Sequence, residues 1–407
     1  MPGWLLVAAS SAGIVQAKNL TRFYAPIGRV YPDATEANRS LVARDSYTLR
    51  NLYVRVIANT ITLATTVRTR KNGANGNQSV SIPASATGAF EDAVNTDSLV
   101  NGDIFNFQMV TPNAGTSITF SIISLILQTL INNTPIIGGV SSMGVSYGAT
   151  TYTVIGGQCT FNTTEAQSRY TFRVAATLSN FRVVVSANSL NNTTTVRTRK
   201  NGANGSESVS IPAATTGAFE DTVNTDSIAS GDKVNYQVVT GGTTGTATFQ
   251  TFEIKSSSVG YQVLTGSNYT GTLAANLTVY ETVGGNSQSY TATEAFTQAK
   301  AGAPFTAKNT FVLVPINSVN GSTTFRIRKN AGNGNMSVSI PANTTGAFED
   351  TVNTDDFVAA DLLNWQVITG GTGGTMLINY IGFELAQPAA APTSGSMAAK
   401  LVAAGCI

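Results

Sequence analysis

The chain repeats itself at an interval that few folds can use. Thr66-Val-Arg-Thr-Arg-Lys-Asn-Gly-Ala-Asn-Gly76 returns unchanged from Thr195 to Gly205, and in looser form from Thr324 to Gly334. Gly88-Ala-Phe-Glu-Asp92 returns at Gly217 and Gly346, so that Phe90, Phe219 and Phe348 stand 129 residues apart each time. The upstream words Thr35-Glu36-Ala37, Thr164-Glu165-Ala166 and Thr293-Glu294-Ala295 keep the same interval. Solenoid repeats run roughly 20 to 50 residues, so a period this long means a whole domain copied three times. The copies are bounded at 1–129, 130–258 and 259–387, and a Pro/Ala-rich linker with an apolar tail occupies 388–407.

Within each copy the apolar spacing is that of strands. Val54, Val56 and Ala58 alternate with Arg55 and Ile57, and Val67 and Thr69 with Arg68 and Arg70, the period of two that a half-buried strand requires. Asn72-Gly73 and Asn75-Gly76 then supply the positive φ angles of a tight hairpin, returning the chain as Ser79-Val80-Ser81-Ile82. Copy three reads Asn330-Ala331-Gly332, so its turn need not match. Beyond the turn at Asn101-Gly102-Asp103, Phe105, Phe107 and Met109 alternate with Asn106 and Gln108, and Tyr236 and Trp365 hold the aromatic position in the other copies. The apolar run 118–131 is broken by Thr, Ser and Gln and is too short to span a bilayer, so it reads as strand. No stretch combines helical periodicity with caps. About eight short strands per copy predict an all-β chain of three tandem antiparallel β-sandwich domains, with the jelly roll as the commonest closed arrangement.

Composition narrows the function. Charged residues make up 11% of the chain and the formal net charge is +2, with no stripe of Lys or Arg to neutralise phosphates, which argues against nucleic acid as a partner. Histidine is absent, which removes the commonest general base, the usual zinc ligand and every Ser-His or Cys-His nucleophile. Cys159 and Cys406 have neither a CxxC nor a metal-site spacing and read as free thiols, with pairing across the fold or between subunits left open. Residues 1–9 are apolar and lead to Val15-Gln16-Ala17, which imitates a signal-peptidase site without a basic leading region, so the segment is read as retained.

The words RKNGANG, SVSIPA, TGAFEDTVNTDS and GDKVNYQVVTGGT of copy two resemble a module found repeatedly in predicted bacteriophage structural proteins. They are also similar to the tumour-necrosis-factor-like jelly rolls at the tips of bacterial exosporium glycoproteins, whose collagen-like stalk this sequence does not have. About half of each copy carries these words. The resemblance implies a jelly-roll fold, trimeric association and a place on an exterior surface, and it implies no catalytic residues. Three such modules in covalent tandem predict either a closed pseudo-threefold unit or a row of beads along a fibre.

Three groups of residues are candidate sites. Glu91, Asp92, Asn95 and Asp97, repeated as Glu220, Asp221, Asn224, Asp226 and as Glu349, Asp350, Asn353, Asp355, offer the oxygen ligands that calcium takes. The competing expectation is structural: the acids pair with Arg68 and Arg70 while Asn and Asp cap turns. No other cofactor is expected. The amides Asn106, Gln108, Asn235, Gln237, Asn364 and Gln366 point away from the aromatics, either toward a contact between copies or into solvent. At the two ends, Trp4, Leu5, Leu6 and Val7, and Met397, Leu401 and Val402, are apolar outside the repeated cores. They are interface candidates, able to add to a neighbouring subunit's sheet edge or to pack on their own copy. Sequons such as Asn162-Thr-Thr and Asn276-Leu-Thr allow glycans.

Adjacent Glu-Asp pairs on an alternating strand point to opposite faces and cannot flank one glycosidic bond. The sequence therefore predicts a non-enzymatic, self-assembling structural protein at a virion surface or outside the cell. A bacteriophage capsid decoration or tail-fibre component comes first; a subunit of a prokaryotic extracellular filament or coat, and a carbohydrate-binding receptor module, are the alternatives.

Overall fold

A computed structural model of the chain describes residues 4–29, 32–129, 136–258, 261–266, 272–286 and 290–386. Copy one runs through β1 (Trp4–Ala17), β2 (Leu20–Tyr24), β3 (Gly28–Arg29), β4 (Leu41–Val42), β5 (Tyr47–Asn59), β6 (Thr65–Lys71), β7 (Ala74–Ile82), β8 (Gly88–Leu99), β9 (Ile104–Thr111) and β10 (Ser117–Thr129). One sheet has the order β3-β1-β10-β5-β8, and the other β2-β9-β6-β7 with β4 also on β9. Apart from the β6–β7 hairpin, each strand is followed by one in the opposite sheet, which is the winding of a jelly roll. The same two sheets recur in copies two and three. In copy three the long strands of the first sheet are interrupted, and their far ends form a separate three-stranded sheet of Leu273–Ala274, Thr375–Leu377 and Ile316–Asn317. Pro315, which has no N–H to give, stands at the break between Phe305–Val314 and Ile316–Asn317.

The alternation read from sequence becomes burial. Phe105, Phe107 and Met109 are buried, as are Tyr236 and Trp365 at the aromatic position. Asn72 and Gly73 take φ of 48° and 77°, so Lys71 pairs with Ala74 across a two-residue turn. Copy three makes the same turn with Asn330 at 50° and Ala331 at 61°, an alanine in a region that normally favours glycine.

Two expectations change. Asn106 and Asn364 face neither solvent nor another copy, because a short 3-10 turn in their own copy roofs them. That turn, Glu36–Arg39 in copy one and Glu294–Phe296 in copy three, is what the repeated Thr-Glu-Ala words form. Asn106 donates to Ser40 Oγ at 2.9 Å and Asn364 to Thr297 Oγ1 at 3.0 Å. The acid that pairs with Arg70 is Glu36 of the same turn, with Nε and Nη2 at 3.0 and 3.1 Å, and Glu165–Arg199 and Glu294–Arg328 repeat this pair. The acids of β8 are thereby left for other work.

The edge strand β8 is covered by side chains of its own copy. Lys71 Nζ donates to the Ser98 carbonyl at 2.8 Å, Asn77 Nδ2 donates to that of Thr96 at 3.0 Å, and Asp92 accepts the N–H groups of Val94 and Asn95. Backbone groups satisfied in this way do not template an added strand.

Candidate functional site at the seams between copies

The three copies touch one another in a closed cycle. The short strands Gly28–Arg29, Gly157–Gln158 and Gly285–Asn286, equivalent in the three copies, approach each other pairwise. Around them, the segment that follows the 3-10 turn of one copy lies on the β5-β8-β10 face of the next: copy one on two, two on three, three on one. Heterologous contacts of one sense that come back to their starting point make a ring.

Each seam contains a cation on the acid of the Gly-Ala-Phe-Glu-Asp word. Arg44 reaches Glu220, Arg173 reaches Glu349 at 2.9 Å, and Lys300 reaches Glu91. The position equivalent to Arg44 and Arg173 in copy three is Gly302, and Lys300, two residues earlier, supplies the charge instead. A Cβ at residue 302 would sit 1.5 Å from Ile126 Cδ1, so glycine is what lets copy three close onto copy one.

Beyond this shared pair the seams differ. In the first, the fully buried Glu253 receives Arg44 and Arg182, each at 3.0 Å, and the Val42 N–H at 3.1 Å, while Arg39 donates to Gln250 at 2.6 Å. In the second, Tyr170 lies edge-on to Phe311 and Tyr380, with ring centroids 6.0 and 5.8 Å away, and Arg173 covers the Phe311 ring at 4.7 Å. Tyr380 donates its hydroxyl to the Ser168 carbonyl at 2.9 Å, and Asn379 donates to that of Gln167 at 2.7 Å. Phe311 and Tyr380 of copy three thus belong to the core of copy two.

The structure divides the calcium candidates rather than gathering them. Glu91, Glu220 and Glu349 hold the seams. Asp92, Asp221 and Asp350 each accept three backbone N–H groups, for Asp92 those of Ser79, Val94 and Asn95. Burial alone would raise these three carboxyls, but the bonds from Asn95 and its equivalents and from the N–H groups hold them below the usual carboxylate range. Asp97, Asp226 and Asp355 accept the N–H of Asn77, Ser206 and Asn335 at 2.6, 2.6 and 2.7 Å. Among the described residues no group of three such side chains converges to hold a metal ion.

The terminal candidates separate too. Trp4, Leu5, Leu6 and Val7 pair by backbone with Gln128, Leu127, Ile126 and Leu125 of β10, so this segment belongs to its own copy's sheet and is no free arm. Met397, Leu401, Val402 and Cys406 lie outside the described residues. Among the described residues Cys159 is free and buried, and burial pushes its thiol up to about 12. Of the sequons named above, Asn162 is buried and Asn276 exposed. Sequence reading missed the Thr-Glu-Ala turn and the residues after it as the docking element. The signal was present, since those words keep the interval of 129 although they contribute little to the core.

No family model matches the chain, and no curated protein matches it. Solved structures that align along most of its length include two viral ones. One, from work on the triple jelly roll fold and turret assembly in an archaeal virus, is 14% identical, with 93% of this chain and 91% of that chain covered and a TM-score of 0.19. The other, from Sulfolobus Turreted Icosahedral Virus, is 13% identical, with 94% and 97% covered and a TM-score of 0.19. A TM-score this low keeps either likeness from bearing on fold or function.

Proposed function

We propose that the chain is a non-enzymatic structural subunit of a virion, three jelly-roll domains bounded as the repeat suggests and closed into one pseudo-threefold block on the particle's surface. The observation that carries this reading is the cycle of seams. Arg44–Glu220, Arg173–Glu349 and Lys300–Glu91 run in one sense and return to copy one, so a threefold block is contained in one chain. Two further points support it. The carboxylates that offered chemistry are occupied by seam and turn bonds, and the repeated words resemble modules of bacteriophage structural proteins, which favours capsid decoration or a tail component.

Cryo-electron microscopy of native particles, with an antibody fragment bound to copy two as a fiducial, tests the proposal. It requires three lobes around a local threefold on a particle's exterior. Labelled free filaments would transfer the chain to the filament class. Lobes strung in a row, seen also as an elongated monomer in small-angle scattering, would sink the closed block.

A further inference from the structure

The strand Ala203–Ile211 places Glu207 wholly inside the sandwich of copy two, where copy one has Gln78 and copy three Met336, all fully buried. Gln78 reveals what the position asks of a polar occupant. Its Oε1 accepts the Leu52 N–H at 2.9 Å, and its Nε2 donates to Asp97 Oδ2 at 3.3 Å. Glu207 repeats the first contact, with Oε2 accepting the Phe181 N–H at 3.0 Å. The second contact needs a donor, because Asp226, like Asp97, is an acceptor already taking the Thr198 hydroxyl and the Ser206 N–H. Ionised, Glu207 has no hydrogen to give, and its Oε1 finds no partner.

We propose that Glu207 is a proton-dependent latch in copy two: protonated, it donates Oε1–H to Asp226 as the Gln78 amide donates to Asp97, and on losing that proton to solvent it loosens copy two beside the first seam. The titratable groups that face it are Asp221, Asp226 and Glu220, together with the Tyr236 phenol, and none is a cation. Ionisation therefore adds a buried negative charge to a set of acids, one of which, Glu220, holds Arg44 across the seam. Burial first, and then those acids, push Glu207 up to about 8. The sign follows: its folded value lies above the unfolded one, so the stability it lends is full in acid and is lost as pH rises through about 8.

Thermal and denaturant unfolding of the full chain and of Glu207→Gln, followed across pH, tests the latch. The stability gap between variant and parent should widen in the variant's favour by on the order of a hundredfold in the unfolding constant between about pH 5 and about pH 8. Glu281, a second buried acid in copy three, is common to both proteins and cancels from the gap. The infrared carbonyl stretch of a protonated carboxyl should be present in the parent near neutral pH and reduced in Glu207→Gln. Should that variant fold poorly, Glu207→Met, which copies the residue of copy three, takes its place. A gap that does not change with pH, or a protonated-carboxyl band untouched by either substitution, overturns the proposal.

Discussion

At the first seam Arg44 and Arg182 converge on a carboxylate sealed from water, whereas the second seam has Phe311 where Arg182 stood and Gly382 where Glu253 stood, and fills the space with Tyr170 in place of Leu41. Equivalent positions meet through the same backbone geometry with opposite chemistry. A homotrimer of single domains would have to satisfy all three contacts with one set of residues. In a triplicated chain each copy meets only one partner on each side, so each seam is free to diverge. A desolvated ion pair contributes little net stability against an apolar substitute but is costly to break, while edge-on aromatic rings bury apolar area directly. The first seam therefore specifies which faces may meet, and the second supplies cohesion.

Removing one partner at each seam sharpens that contrast. Glu253→Ala leaves the buried Arg182 guanidinium without its carboxylate and Arg44 with Glu220 alone, and should cost about 3–5 kcal/mol in denaturant unfolding. Exchanging the whole set for the second seam's residues (Leu41→Tyr, Arg182→Phe and Glu253→Gly together) should recover most of that loss. If the triple variant is as unstable as Glu253→Ala, the two chemistries are not interchangeable and the comparison fails. Tyr170→Ala empties the aromatic seam and should cost about 3 kcal/mol, largely independent of salt, read as a lower Tm at two ionic strengths.

The third seam yields the smaller effects. Gly302→Ala drives a methyl into Ile126 and should cost about 1–3 kcal/mol, relieved in part by Ile126→Val; a variant as stable as the parent would mean that copies one and three pack more loosely than the structure has them. Lys300→Ala removes a partly exposed pair and should change unfolding by less than about 1 kcal/mol, an effect that added salt diminishes further. The ranking of these four losses measures how unevenly the ring is held.

The hairpin of copy three shows where local reading stops. Ala331 is a poor residue for a positive φ, yet it adopts the turn of its Gly73 and Gly202 counterparts. The flanking strands are paired in the same register, and Arg328 donates to the Ala331 carbonyl and to Asn333 as Arg70 does to Gly73 and Asn75. Tertiary context overrides one residue's preference. The acids of β8 teach the complementary lesson. Their composition suited calcium, but their roles are split by which way each points: Glu91 outward to a lysine 209 residues away, Asp92 back onto the bulge that follows it within β8. Neither role has a signature in the spacing alone.

Face alternation, the Asn-Gly turns and the interval of 129 were enough to determine an all-β chain of antiparallel sheets whose pattern repeats, because they record short-range dihedral preferences and burial within one unit. The tertiary structure alone decided that the copies close in a ring, that the Thr-Glu-Ala turn leads the docking segment, and that Glu253 and Tyr170 do related work. Those outcomes depend on the rotation that relates one copy to the next. It brings together residues scattered over the length of the chain, and no local pattern of apolar and polar side chains encodes it.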